Sequence, residues 1–120
     1  GSVIITSSIA GLRAGSEFTA YTMSKHAVIG LMRTAAKESA KRRIRVNTVH
    51  PGFVESEMID RIESARGDPK AQRDLGLSRV PLGRYVRPEE VAGLICYLAS
   101  DDAAMVTGGQ FLIDGGVMLG

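Results

Sequence analysis

Val3-Ile4-Ile5-Thr6-Ser7-Ser8, then Gly11, Gly15 and Ser16, then Ala20-Tyr21-Thr22-Met23-Ser24-Lys25-His26-Ala27, is the stretch whose reading decides the fold. The β-branched run ending in hydroxyls predicts a short buried strand. The glycines and Ser16 predict a loop, and a helical pattern begins near Tyr21. Strand, serine, loop, helix is the order in which an open α/β sheet sets chemical groups at the carboxyl ends of its strands.

Working outward, the sequence predicts a strand over 3–7, a helix from about 20 to 41 and a strand over 45–49. A long charged connection runs through Arg87, a helix follows from Pro88 to about Ser100, and a last strand lies near Gln110–Ile113. Pro88 suits a first helical position because its missing N–H would be unpaired there, and Glu89 and Glu90 complement the helix dipole. Val91, Leu94, Ile95 and Leu98 recur at helical spacing and should face the core. Strands alternating with helices predict an α/β fold, a doubly wound parallel sheet with helices on both faces.

Tyr21 and Lys25 are four residues apart, about one helical turn, so their side chains share a face. A free phenol titrates near pH ~10 and is a poor proton carrier at neutrality. A cation beside it favours the phenolate, and an acid/base group works best when its pKa lies near the working pH. Ser8, thirteen residues earlier, offers a hydroxyl that could hold the oxygen gaining or losing the proton.

Ile5-Thr6-Ser7-Ser8-Ile9-Ala10-Gly11, Tyr21-Thr22-Met23-Ser24-Lys25 and Asn47-Thr48-Val49-His50-Pro51-Gly52-Phe53-Val54 together resemble the short-chain dehydrogenase/reductase family. The resemblance runs from Gly1 through Ile113-Asp114-Gly115-Gly116, with the motifs in the family's order and spacing. It implies a Rossmann-type three-layer fold and a cofactor, NAD or NADP. It implies that Tyr21 is the catalytic acid/base, that Lys25 tunes it and bonds the nicotinamide ribose, and that Ser8 orients the substrate carbonyl or alcohol. The Pro51-Gly52-Phe53-Val54-Glu55-Ser56 segment resembles the turn beneath the nicotinamide. Pro51, Gly52, Val54 and Ser56 are thus expected at the cofactor, with a Val54 backbone group facing the carboxamide. Ser56 stands where the family usually has threonine, and a hydroxyl is kept. On its own terms the turn is sensible, since Pro51 fixes φ while Gly52 allows unusual dihedrals or close approach of a ligand.

The chain contains no G-x-G-x-x-G and no G-x-x-x-x-G-K-[ST]. A doubly wound dinucleotide fold carries its glycine-rich pyrophosphate loop in its first half, so these residues read as the second half only. The expectation is a C-terminal catalytic and substrate-binding part, 1–120, of a single dinucleotide-binding domain, poorly able to hold a dinucleotide by itself. The ribose-reading residue would lie upstream, which leaves NAD and NADP open. If strands are missing on one side, the first strand here is an edge prone to pair with other chains.

Apolar residues at 44% and charged residues at 23% are ordinary for a soluble globular domain. A formal net charge of +2 makes no case for nucleic acid. Lys41, Arg42, Arg43 and Arg45 cluster at a helix end, where cations complement the dipole, and no aromatic residues interleave with them. The single cysteine, Cys96, excludes an intrachain disulfide and reads as a core residue of an apolar helix. His26 and His50 are too few for a metal centre without converging carboxylates, so no metal is expected. His26 should face away from Lys25, and His50, ending a strand, reads as a hydrogen-bonded structural residue. No apolar run approaches the ~20 residues of a membrane span and no signal-peptide pattern opens the chain, so a cytoplasmic location without membrane contact is expected.

Ala20, Met23, Ala27, Gly30, Leu31, Thr34, Ala35 and Glu38 recur at three- and four-residue intervals, a belt broader than a sheet alone requires. The resemblance implies that the helix bearing Tyr21 and Lys25 packs against its copy in a homodimer or homotetramer. Residues 55–87 are positioned as a substrate lid, where Met58, Ile59 and Ile62 would offer an adaptable apolar wall. The expected reaction is hydride transfer between a nicotinamide and a small-molecule secondary alcohol or ketone. Two alternatives stay open: NADPH-dependent reduction of a 3-oxoacyl thioester, for which Arg61, Arg66, Arg73 and Arg79 could form a basic patch, and a catalytically idle nucleotide-sensing or assembly subunit.

Overall fold

The three strands expected above form one parallel sheet, β1 (Ser2–Thr6), β2 (Arg45–Pro51) and β3 (Gln110–Ile113), in the order β1-β2-β3. The computed structural model describes residues 1–120. Val3 lies opposite Val46 and Ile5 opposite Thr48, and across the other seam Val49 lies opposite Phe111. β2 is central, and from Val46 to Pro51 all its residues are buried, whereas β1 and β3 are edges that leave Val3 and Leu112 exposed. β2 extends to Pro51, two residues beyond the expected end, because Pro51 pairs with Ile113 and its missing N–H is tolerated at a strand terminus.

The helices are α1 (Thr19–Ser39), α2 (Glu57–Arg66), α3 (Pro69–Leu77) and α4 (Pro88–Ala99). α1 covers one sheet face, burying Met32 and Ala36 against Val46 with Ile5 and Ala35 beside them. Each such large side chain contributes about 1.5–3 kcal/mol relative to exposure. Ser2 and Arg45 have the opposite strand parity to Val46 and reach α4: Ser2 Oγ donates to the Leu98 carbonyl at 2.9 Å. Arg45 donates to Leu98 at 2.7 Å and Ser100 at 3.0 Å, so a cation of the basic cluster caps the C-terminal end of α4. α4 therefore lies on the other face, and the three-layer α/β arrangement is as expected.

The charged connection contains two short helices, α2 and α3. Ser56 caps α2 by accepting from Ile59 N–H at 3.4 Å, and Asp68 caps α3 by accepting from Ala71 N–H at 2.9 Å with Pro69 at the first position. Gly67, at φ 145°, makes the break between them. A second cluster lies under this pair: Ile9, Val80, Tyr85 and Val117 are buried, with Phe53, Ile59 and Leu77 packed on them. Cys96 is exposed, not in the core, because α4 turns Val91, Leu94, Ile95 and Leu98 inward and presents Cys96 on the opposite side. No helix is long and apolar enough to cross a membrane.

Candidate active site

Because the strands are parallel, Ser7 and Ser8 after β1, the Pro51–Ser56 turn after β2 and Asp114 after β3 all leave the sheet at one edge. Ser8 is extended and caps the short helical turn Ile9–Gly11, its Oγ accepting from Ala10 N–H at 3.1 Å. That bond uses a lone pair and leaves the hydroxyl proton free to donate.

α1 is docked onto this turn at close range. Ser7 Oγ donates to the Lys25 carbonyl at 2.9 Å, and Lys25 Nζ donates to the Thr6 carbonyl at 3.1 Å. A Cβ on Gly11 would lie 2.5 Å from Ser7 Oγ and 2.6 Å from the Lys25 carbonyl oxygen, so only glycine permits the approach. Lys25 Nζ sits 5.4 Å from the centroid of the Tyr21 ring, within cation–π range. Tyr21 is 37% exposed. The structure thus brings Lys25 against the Tyr21 ring and ties Lys25 to the strand end that carries Ser8.

His50 fastens the Ser8 turn to β2. Its ring is fully buried, with Nδ1 2.9 Å from the Ser8 carbonyl and Nε2 2.9 Å from Thr48 Oγ1. A carbonyl only accepts, so Nδ1 carries the proton, and Nε2 faces the Thr48 hydroxyl, which also reaches the Gly109 carbonyl at 3.4 Å. Burial holds His50 below its ordinary pKa, partly opposed by the Ser8 bond. It is the structural histidine expected, while His26 is exposed and bonds the Thr22 carbonyl.

At the turn, the Phe53 carbonyl accepts from Val86 N–H at 2.8 Å and Glu55 N–H donates to the Val86 carbonyl at 2.9 Å. Gripped on both sides by Val86, Val54 directs its own backbone groups away from that bridge. A Cβ on Gly52 would lie 2.9 Å from Cα of Asp114, so glycine here permits the close approach of the chain after β3. Asp114 is buried and accepts from Gly116 and Met118 N–H, each at 2.9 Å. The Ser56 hydroxyl, besides capping α2, donates to the Val54 carbonyl at 3.2 Å. Met58 is exposed, Ile62 half-buried, and Ile59 packs into the cluster around Tyr85.

Three of the four arginines suggested as a basic patch are neutralised. Arg61 pairs with Glu57 at 3.2 Å, Arg66 with Glu17 at 3.1 Å, and Arg73 approaches Glu55 and Glu63, each at 3.7 Å. Sequence reading did not single out Glu63 and Tyr85, which are 7% and 2% exposed and joined by a 2.7 Å hydrogen bond. Burial, then the bond to Glu63 and its charge, push the Tyr85 phenol up to about 12, so it remains a proton donor to Glu63. A signal existed: Glu63 follows Ile59 by four residues and therefore falls on the apolar stripe of α2.

A family model described as enoyl-(acyl carrier protein) reductase matches residues 1–118. The 3-oxoacyl-(acyl-carrier-protein) reductase FabG of Thermotoga maritima is 45% identical over 119 residues, 99% of this chain and 46% of that protein. The solved structure of a 4-hydroxyisoleucine dehydrogenase complexed with NADH superposes with a TM-score of 0.92 at 38% identity, covering 100% of this chain and 48% of that one. An Agrobacterium tumefaciens protein with bound NADP, provisionally assigned as a 2-deoxy-d-gluconate 3-dehydrogenase, gives 0.90 at 33% identity, covering 100% and 47%. The chain therefore spans about half the length of the relatives it matches. Coverage of nearly every residue by these comparisons shows that the chain belongs to the short-chain dehydrogenase/reductase family.

Proposed function

We propose that this chain supplies the acid–base and substrate-facing part of an oxidoreductase that moves hydride between NAD or NADP and a secondary alcohol or ketone. The observation that carries the reading is Lys25, which stands 5.4 Å from the Tyr21 ring centroid and is bonded to the strand end leading into Ser8. The donor set suits a nicotinamide nucleoside. Lys25 has three N–H donors and spends one on Thr6, leaving others for ribose hydroxyls. Val54 turns backbone groups to the side away from Val86, where a carboxamide could meet them. Relatives bound to NADH and to NADP support either cofactor. Pro51, Gly52 and Ser56 hold this turn rather than offering free donors.

A bound nicotinamide supplies or accepts the hydride. Tyr21 takes the alcohol proton in oxidation and returns it to the alkoxide oxygen in reduction, while the free Ser8 proton holds that oxygen. Lys25 keeps a positive charge beside the group that handles the proton. The α2–α3 pair serves as the lid, with exposed Met58 and half-buried Ile62 toward substrate and Ile59 anchoring the pair below.

The 45% identity to a 3-oxoacyl-(acyl-carrier-protein) reductase favours a thioester substrate as a second reading. The pairing of Arg61, Arg66 and Arg73 with carboxylates weighs against a basic carrier patch on this lid. Assembly through α1 is part of the proposal, because Met23 at 67% and Leu31 at 60% exposed lie on the small-residue stripe facing away from the sheet.

The full-length protein carrying this chain is tested with secondary alcohols, ketones and a 3-oxoacyl thioester, following nicotinamide absorbance with each cofactor. Substrate-dependent absorbance change is expected. Dinucleotide binding with no turnover on any of them would point instead to the idle subunit.

A further inference from the structure

Tyr85 makes contacts with the Pro51–Ser56 turn, with α2 and with α3. Its ring stacks on Phe53 of the Pro51–Ser56 turn, with centroids 5.3 Å apart and planes at 27°. The Arg73 guanidinium of α3 lies 4.0 Å from the centroid of the same ring. Its hydroxyl donates to Glu63 Oε1 of α2 at 2.7 Å. Gly76 of α3 passes so close to the Tyr85 hydroxyl that a Cβ there would overlap it. The next residue, Val86, holds Val54 through the bonds to Phe53 and Glu55. One side chain therefore joins the turn, α2 and α3.

The pieces depend on one another. Glu63 is 7% exposed, and its carboxylate has the Tyr85 hydroxyl on one oxygen and Arg73 3.7 Å from the other. A buried carboxylate that loses its hydrogen bond must regain water, and the route to water is outward movement of α2. Arg73 has a second tie to Glu55, inside the turn, at 3.7 Å, and a third to Asp60 on α2 at 3.9 Å.

We infer that Tyr85, clasping Glu63 and Arg73, is a positioning residue that locks the α2–α3 pair to the Pro51–Ser56 turn and so fixes where Met58 and Ile62 stand. The clasp itself rests on geometry; its consequence for substrate rests on the oxidoreductase reading above. It makes the lid and the turn one body, so that a shift at Val54 is felt at α2 and the reverse. Tyr85 makes no contact with substrate in this account. Its influence is on substrate affinity and selectivity, not on the proton at Tyr21.

The test uses Tyr85→Phe and Glu63→Gln in the full-length protein. Tyr85→Phe keeps the ring and its stacking and deletes only the hydroxyl. Amide hydrogen exchange across 57–77 should rise about ten- to a hundredfold, the scale of one hydrogen bond to a buried charge, while exchange in β2 stays unchanged. Glu63→Gln keeps an acceptor for the Tyr85 hydroxyl but removes the ion pair with Arg73, so exchange across 57–77 should rise here too, by less than in Tyr85→Phe. In turnover, Tyr85→Phe should raise substrate KM about tenfold with kcat within about twofold. Unchanged exchange across 57–77 overturns the clasp. A fall in kcat at constant KM overturns the positioning role. If the parent protein turns over no alcohol or ketone, the functional reading fails, and the exchange measurement still decides the clasp.

Discussion

Lys25 holds Tyr21 and the end of β1 at once: its Nζ lies 5.4 Å from the Tyr21 ring centroid and donates to the Thr6 carbonyl at 3.1 Å. The ammonium is thereby fixed by the backbone of the strand whose continuation is Ser7 and Ser8. Lys25→Met removes the charge and the tie while leaving the apolar stem in place. Steady-state rates in the full-length protein should fall about a hundredfold or more, the scale of general acid–base catalysis. Dinucleotide affinity, measured by nicotinamide fluorescence, should weaken as well; a variant with unaltered rate and affinity would remove Lys25 from the site.

Gly11 is the point at which the Ser8 turn meets α1. Gly11→Ala places a methyl 2.5 Å from Ser7 Oγ and 2.6 Å from the Lys25 carbonyl oxygen. Urea unfolding should show a loss of about 1–3 kcal/mol, the usual cost of overpacking. Gly93→Ala in α4, where a Cβ meets nothing within 4 Å, should stabilise that helix by up to about 1 kcal/mol and serves as the control.

Glu90 accepts from both Arg84 nitrogens, at 2.6 and 2.8 Å, and from Arg87 N–H at 2.9 Å. The Arg84 bond first, then the Arg87 backbone bond, hold its carboxyl at about 2 against an ordinary 4.5. A depressed carboxyl pKa stabilises the fold fully above the unfolded value and loses that stabilisation as the pH falls through the folded one. The stability gap between the parent and Glu90→Gln should therefore be constant above pH 4.5 and close between 4.5 and about 2. A gap that is unchanged at the acid end would contradict the assignment.

His50 runs the other way. Burial lowers its pKa from 6.5, so the folded state prefers the neutral ring and the unfolded state takes up the proton first. Stability should therefore fall as the pH drops below 6.5 and level off once the folded-state ring is protonated as well. His50→Gln should abolish that slope in denaturant titrations at successive pH values, at the cost of some stability from the lost Ser8 and Thr48 bonds.

Leu31, exposed at 60% on the outward stripe of α1, tests the assembly. Sedimentation of the full-length protein should give a dimer or tetramer, and Leu31→Glu should shift it to a smaller species by burying a charge at the contact. A monomer in the parent would remove α1 as an interface.

The fold was legible where chemistry and period agree. The β-branched run before Ser8, Pro88 beside two glutamates, and the Val91–Leu98 spacing each fix an element from local physics alone. The site was legible in Tyr21 and Lys25, since a four-residue helical spacing brings the pair together whatever surrounds it. What the sequence could not reveal depends on neighbours distant along the chain. Gly52 reads as a turn glycine, and that β3 delivers Asp114 against it appears only in the fold. Cys96 lies in an apolar run, yet the face of α4 that meets the sheet excludes it. Tyr85 and Glu63 are twenty-two residues apart, and only the folding of α2 back over α3 makes them partners.

The most direct measurement is turnover by Tyr21→Phe in the full-length protein, with dinucleotide binding followed in parallel. Loss of the phenolic oxygen should reduce kcat by about 10²–10⁴-fold while the folded protein still binds the nicotinamide cofactor. A near-parental kcat in a variant lacking that oxygen would contradict the central claim that Tyr21 carries the proton.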